Sequence, residues 1–217
     1  MTDVRTTIAA RAARELEAGQ IVNLGIGIPN LIPAFLPPDA GVVFQTENGL
    51  LGVGPRPEPG QEDPDDIDAA KQLVTVIPGA AYFDSATSFA MIRGGHVDVA
   101  VLGALQVSQS GDIANWAVPG RSVLGIGGAM DLVVGARTVI VTMTATASNG
   151  DAKVVDTCTY PLTARGVADT IVTELSVFRL REGGLVLTEL LGGATLDDVA
   201  AVTAAGYEVS SSLASSR

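Results

Sequence analysis

The stretch Gln45-Thr46-Glu47-Asn48-Gly49-Leu50-Leu51-Gly52-Val53-Gly54-Pro55 decides how the chain is read. Glu47 follows Val42-Val43-Phe44, an apolar run of the kind that forms a buried strand. Three glycines and a proline come next, between Gly49 and Pro55. Open α/β sheets place chemistry at the carboxyl ends of their core strands, so a carboxylate beside a glycine-rich turn there is a candidate reactive group. A strand-terminal Glu on a solvated loop has the same local pattern, and position alone does not separate the two readings.

Toward the N-terminus, residues 5–18 carry Ile8, Ala12, Glu15 and Leu16 near helical spacing, with Gly19 placed as a C-cap. Gln20-Ile21-Val22-Asn23-Leu24 reads as a strand, Gly25-Ile26-Gly27-Ile28 as a tight turn, and Pro29 as the opening of a helix. Asn30 stands where a dinucleotide fingerprint needs its third glycine, so the turn is a weak nucleotide motif. It suits either a tight connection or a backbone that lets a ligand come close at Gly25.

Toward the C-terminus, residues 55–66 form an acidic, proline-rich loop. Leu73–Ile77 is the next expected strand, closed by Pro78-Gly79. Asp84 or Ser85 caps a helix reaching Arg93, and Gly94-Gly95 ends it. Val97–Gly103 is an almost wholly apolar strand. Gly111–Trp116 suggests a turn and a short strand. Gly125–Asp131 opens a helix running to Gly135, where free N–H groups at Gly127 and Gly128 suit an oxyanion as well as close packing. Thr138–Met143 and Lys153–Val155 read as strands and Gly166–Glu174 as a helix. Ser176–Leu180 and Leu185–Glu189 read as a hairpin, and Asp197–Ala205 as a last helix capped by Thr195. The polar tail 210–217 is expected to be disordered. Alternating strands and helices without an internal linker predict one domain over residues 1–209. Its class is α/β, with an open, mostly parallel sheet covered by helices.

Composition agrees with that class and narrows the function. Hydrophobic residues make up 47% of 217 and charged residues 17%, as strands covered on both faces require. A net charge of −11 speaks against nucleic acid, which needs clustered Lys and Arg. No apolar run is long enough to span a bilayer, and residues 1–14 lack the apolar core of a secretory signal. Cys158 is the only cysteine and His96 the only histidine, so neither a disulfide framework nor a metal site is expected. For His96 a structural hydrogen bond is the expected role. A cytoplasmic location follows from the cysteine usage.

Several stretches in fixed order carry a resemblance: Val22-Asn23-Leu24-Gly25-Ile26-Gly27, Glu47–Pro55, Ser88–His96, Leu102–Ser108, Ala114-Asn115-Trp116, Gly127–Val133 and Pro161-Leu162-Thr163. Together they make the chain similar, over roughly residues 5–209, to the B (β) subunit of two-subunit 3-oxoacid CoA-transferases, with their CoA-transferase-like fold. The resemblance implies that Glu47 is the nucleophile and forms a glutamyl-CoA thioester. Coenzyme A would enter as the substrate acyl-CoA, succinyl-CoA for instance, with no permanently bound cofactor. The acceptor would be a 3-oxoacid such as acetoacetate or 3-oxoadipate. It also implies an A (α) subunit as partner, in a heterotetramer of two A and two B.

Within that frame, Gly127 and Gly128 are the oxyanion donors. Asn23, Gly25, Asn48, Gly49 and Lys71 are the substrate or CoA contacts, with Gly49, Gly52 and Gly54 giving clearance for the thioester. Two departures from the family pattern stand out: Thr46 replaces the usual Ser, and Thr144-Ala145 replaces a Glu–His pair. An acyl-CoA hydrolase or a sugar-phosphate isomerase of the same fold, or a non-catalytic regulatory subunit, are the competing readings.

Overall fold

The computed structural model describes residues 3–120, 125 and 127–214. Helix α1 spans Val4–Ala12, and the Asp3 side chain accepts from the N–H of Arg5 at its start. A 3-10 turn, Ala13–Glu15, ends it, so the expected helix is shorter than residues 5–18. Gly19 instead serves the following turn, where its N–H donates to the Gly41 carbonyl at 2.8 Å. Strand β1 is Ile21–Leu24. The helix opening at Pro29 is a 3-10 helix, Pro29–Phe35, with Pro33 inside it. Proline has no N–H to give an α-helical ladder, and its ring clashes with the preceding turn.

Strand β2 is Val43–Thr46, β3 is Leu50–Val53 and β4 is Val76–Tyr82. The last was expected to stop at Pro78-Gly79. It continues through them because it lies at the sheet edge, where a missing N–H leaves no inner partner unpaired. Helix α2, Ser85–Arg93, begins as read: Asp84 accepts from the N–H of Thr87 at 2.7 Å. Then come β5 (Val99–Gly103), β6 (Gln106–Ser108), β7 (Ile113–Ala114), α3 (Ala129–Gly135), β8 (Thr138–Thr142) and β9 (Val154–Val155). Of the expected helix start at Gly125–Asp131, Ile126 lies outside the described residues.

The helix read over Gly166–Glu174 is instead strand β10, Thr170–Val172. Its β-branched residues are all buried between β8 and β11. The hairpin is β11 (Ser176–Arg181) and β12 (Gly184–Leu190). Helix α4, Leu196–Val202, carries the expected Thr195 cap, here a reciprocal capping box with Asp198. Strand β13 (Glu208–Val209) follows. Disorder was expected beyond Ser210, yet Ser211–Ala214 forms a turn of helix, α5, and Leu213 packs against the core; residues 215–217 lie outside the described residues.

Among the described residues the main sheet has ten strands in the order β13-β12-β11-β10-β8-β5-β1-β2-β3-β4. Its centre, β10-β8-β5-β1-β2, is parallel; antiparallel pairings add β11 and β12 on one flank, with β13 parallel to β12 beyond them, and β3 and β4 on the other. Ala100 and Leu102 of β5 face a core shared with Ile92 and Leu132 from α2 and α3. Val99 and Val101 face the opposite core, with Ile8 and Ala12 from α1. Both faces are covered, which is why this strand reads as a continuous apolar run. The chain steps one way from β1 to β2 and the other way through β5, β8 and β10. Strand order therefore reverses between β1 and β5, the place where α/β sheets open a crevice at their carboxyl ends.

Candidate active site

Glu47 follows the last residue of β2, in the turn that joins it to β3, and is half-buried. Asn23 and Gln45 lie opposite each other on the parallel pair β1 and β2, so their side chains share one face. The Asn23 amide nitrogen donates to Gln45 Oε1 at 2.7 Å and to Glu47 Oε2 at 3.3 Å. Gln45 Nε2 donates in turn to the Thr46 carbonyl at 2.9 Å and to Ser88 Oγ, from α2, at 2.8 Å. The Glu47 carboxylate thus ends a chain of side-chain amides that are 0–1% exposed.

A cavity of about 340 Å³ opens beside it at the strand-order reversal. Its walls include Gly25 and Ile26 after β1, Leu102 and Gly103 of β5, Asn115, Gly127 and Gly128. Gly128 comes so close that a β-carbon there would lie 3.5 Å from Glu47 Cγ and 3.1 Å from the Phe89 ring. Gly127, at φ 58°, faces open space. The structure therefore brings Glu47, Asn23, Gly25, Gly127 and Gly128 together. Gly25 is also needed for packing, since a β-carbon would press on Leu102 Cδ2 at 3.0 Å.

Other sequence-derived assignments change. A β-carbon on Gly49 (φ 120°) would collide with the Phe83 carbonyl oxygen. On Gly52 it would meet Ala80 at 3.0 Å, and on Gly54 Thr75 Oγ1 at 2.5 Å. These glycines admit the chain's own backbone, β4 and the residues on either side of it, and not a thioester. Asn48 turns its amide nitrogen to the Ile67 carbonyl at 2.9 Å and so anchors the following loop to the Glu47 turn. Lys71 belongs to that loop, exposed, with a backbone φ of 61°; it is not in the wall of the Glu47 cavity. Thr144 turns its hydroxyl to the Thr146 carbonyl at 2.7 Å, and Glu174 accepts from the N–H of Ala145 at 2.9 Å. Burial pushes the nearby Lys153 ammonium down, against the opposing pull of Glu174.

Gln45 and Ser88 were missed by the sequence reading. The signal for Gln45 was present, a long polar residue one place from the end of a core strand beside Asn23. Ser88 has no local signal, because it meets Gln45 only through tertiary packing.

A second cavity, about 280 Å³ and more apolar, lies between the 3-10 helix and the loop after β3, with walls that include Leu24, Phe44, Val53 and Leu73. The Thr46 hydroxyl and the Asn30 amide nitrogen, both in its wall residues, have no hydrogen-bond partner among the described residues. His96 is exposed, with its ring against Gly94. Among the described residues no group of three or more His, Cys, Asp or Glu could hold a metal ion, and no helix is long and apolar enough to cross a membrane.

A family model described as Coenzyme A transferase matches residues 5–206. The chain is 51% identical over 205 residues to the β chain of a probable coenzyme A transferase of Bacillus subtilis, covering 94% of each. It is 50% identical over 206 residues to the B subunit of the succinyl-CoA:3-ketoacid coenzyme A transferase of Helicobacter pylori, covering 95% of this chain and 99% of the relative. Among solved structures, an acyl-CoA transferase of Escherichia coli O157:H7 superposes with a TM-score of 0.77 at 23% identity. That match covers 97% of this chain and 42% of the other, so the chain spans under half of that longer protein.

Proposed function

The chain belongs to the coenzyme A transferase family, and from that premise we propose that it is the B subunit of a two-subunit enzyme moving CoA from an acyl-CoA, succinyl-CoA foremost, to a 3-oxoacid such as acetoacetate or 3-oxoadipate. The observation that carries the reading is the Glu47 carboxylate, held by the Asn23 amide at the wall of the cavity where strand order reverses.

In the proposed reaction a Glu47 carboxylate oxygen attacks the thioester carbonyl of the acyl-CoA. The carbon–sulfur bond breaks, leaving a mixed anhydride on Glu47 and a free CoA thiolate. The thiolate attacks the Glu47 carbonyl, releases the first acid as its carboxylate and leaves a glutamyl-CoA thioester. The acceptor carboxylate then runs these steps in reverse. A carboxylate suits this work because its acyl derivatives stay activated, so the thioester energy is kept. Water must be excluded or the anhydride hydrolyses. Each step passes through an oxyanion that needs fixed donors. Asn23 Nδ2 and the backbone N–H groups of Gly127 and Gly128 are the proposed set: Asn23 is hydrogen-bonded to Glu47, and the two glycines line the same cavity. Lys71, on the loop anchored by Asn48, is assigned to a CoA phosphate or the acid's carboxylate once that loop meets substrate. The half-open cavity is completed by an A subunit, in a cytoplasmic assembly of two A and two B.

The test uses the chain co-expressed with its A subunit. Glu47→Ala is expected to lower transfer at least about a thousandfold, as loss of a covalent nucleophile does. Borohydride added after acyl-CoA should label Glu47 in the unaltered complex and nothing in the variant. Near-native turnover of Glu47→Ala would overturn the mechanism, and thioester hydrolysis without an acceptor acid would replace the transferase reading with a hydrolase.

A further inference from the structure

The amide of Asn23 can present either of two ends to Glu47. They are nearly equal in shape and opposite in character, one a donor and one an acceptor. We propose that Gln45 and Ser88 are positioning residues that fix this choice, so that an N–H always faces the nucleophile. The proposal rests on reading Glu47 as the nucleophile.

The direction is set at the far end of the chain. The Thr46 carbonyl can only accept, and Gln45 Nε2 lies 2.9 Å from it. Ser88 Oγ accepts from the same nitrogen at 2.8 Å and lies 3.4 Å from the Thr46 carbonyl, where its own hydrogen is directed. Gln45 is thereby held with its nitrogen toward Thr46 and its oxygen toward Asn23. At 2.7 Å that oxygen demands a donor, so Asn23 must turn Nδ2 inward, and the same nitrogen reaches Glu47.

A reversed Asn23 would set its oxygen against both Gln45 Oε1 and the Glu47 carboxylate. Asn23, Gln45 and Ser88 are 0%, 1% and 0% exposed, so no bulk water can mend such a mismatch. The arrangement also leaves Asn23 Oδ1 buried without a partner among the described residues. That cost is tolerated because the opposite end of the amide is committed. In the reaction, the committed N–H meets the Glu47 carbonyl oxygen as it gains charge in each tetrahedral step.

The experiment uses the complex with the A subunit and the variant Gln45→Glu. Protonated, the introduced carboxyl still donates its one hydrogen to the Thr46 carbonyl and accepts from Asn23, with no second hydrogen for Ser88; ionised, it has no hydrogen for Thr46 and is repelled by that carbonyl, so the anchor at the far end of the chain is lost. Glu47 is the one titratable side chain hydrogen-bonded to this chain among the described residues. The expected result is a kcat about thirtyfold below the unaltered complex at pH 8, with KM for acyl-CoA within about twofold, as loss of a transition-state donor predicts. At pH 6 roughly tenfold should be regained relative to the unaltered complex, since burial raises the pKa of the new carboxyl.

A pH profile parallel to the unaltered one, or a change in KM alone, would overturn the proposal. Should Gln45→Glu fail to fold, Ser88→Ala decides: kcat should fall about fivefold at unchanged KM, with a cooperative melt lowered by only a few degrees. An unchanged kcat there overturns the proposal. Mass spectrometry of CoA bound to Glu47 keeps the two levels apart. Absence of that adduct in the unaltered complex refutes the nucleophile, whereas its presence with an unaffected Gln45→Glu refutes only the positioning role.

Discussion

Gly49 is held by main chain, and that makes its replacement costly. An added β-carbon would collide with the Phe83 carbonyl oxygen at a φ of 120° that other residues rarely adopt. Gly49→Ala is expected to cost about 2–4 kcal/mol in a denaturant titration. The role of this glycine was not legible locally, because the atoms that forbid a side chain arrive from more than thirty residues further along. The place of Glu47, in the turn after a core strand, was legible, since its strand and its turn are contiguous. Cys158 gives a second test at this scale. Burial, aided by the charge of Asp112, pushes its thiol up to about 11. At pH 8 the thiolate is scarce, so iodoacetamide should modify the native protein roughly two orders of magnitude more slowly than the unfolded chain.

Elements whose signals are local were read correctly: the start of α2 at Asp84 or Ser85, where Asp84 is the cap, the Thr195 cap of α4, and the β11–β12 hairpin. Strand β10 was not, because its three residues sit in a stretch whose polar and apolar positions also fit a helix. Only its place between β8 and β11 decides the matter. The ties between elements distant in sequence were equally hidden. Arg11 of α1 donates to Glu15 at 2.7 Å and to Glu189 of β12 at 2.8 Å, and Arg179 of β11 meets both oxygens of Glu15 at 2.8 Å.

Burial alone would raise the pKa of Glu15, but the hydrogen bonds and charges of Arg11 and Arg179 outweigh it and hold the carboxyl below its usual value of 4.5. Its folded pKa is therefore below the unfolded one. The stabilisation is complete above about pH 4.5 and is lost as pH falls through the folded pKa. Glu15→Gln should cost about 2–3 kcal/mol at pH 7, by leaving Arg179 without its carboxylate and Arg11 with Glu189 alone. It should also flatten the acid limb of the stability curve, measured by urea unfolding between pH 3 and pH 7.

At the scale of the molecule, the fold class was legible because core strands covered on both faces must be apolar throughout. The reversal of strand order was not, since it depends on which strands become neighbours. Charge acts at this scale too. A net charge of −11 at pH 7 and an isoelectric point near 4.4 predict a solubility minimum around that pH, visible as turbidity. The same interval begins to remove the Glu15 stabilisation, so acid precipitation should become harder to reverse below it.

One feature of the architecture reaches beyond stability. The turn bearing Glu47 is fixed from behind by β4 and from beneath by the buried amides, whereas Ile26, Leu102 and Leu105 wall the cavity from other loops and strands. In the proposed reaction, substitutions at the wall reshape the space for the acyl group without disturbing the carboxylate. On that proposal the chemistry and the choice of acid rest on separate parts of the chain, so a lineage can change its diet and keep its reaction.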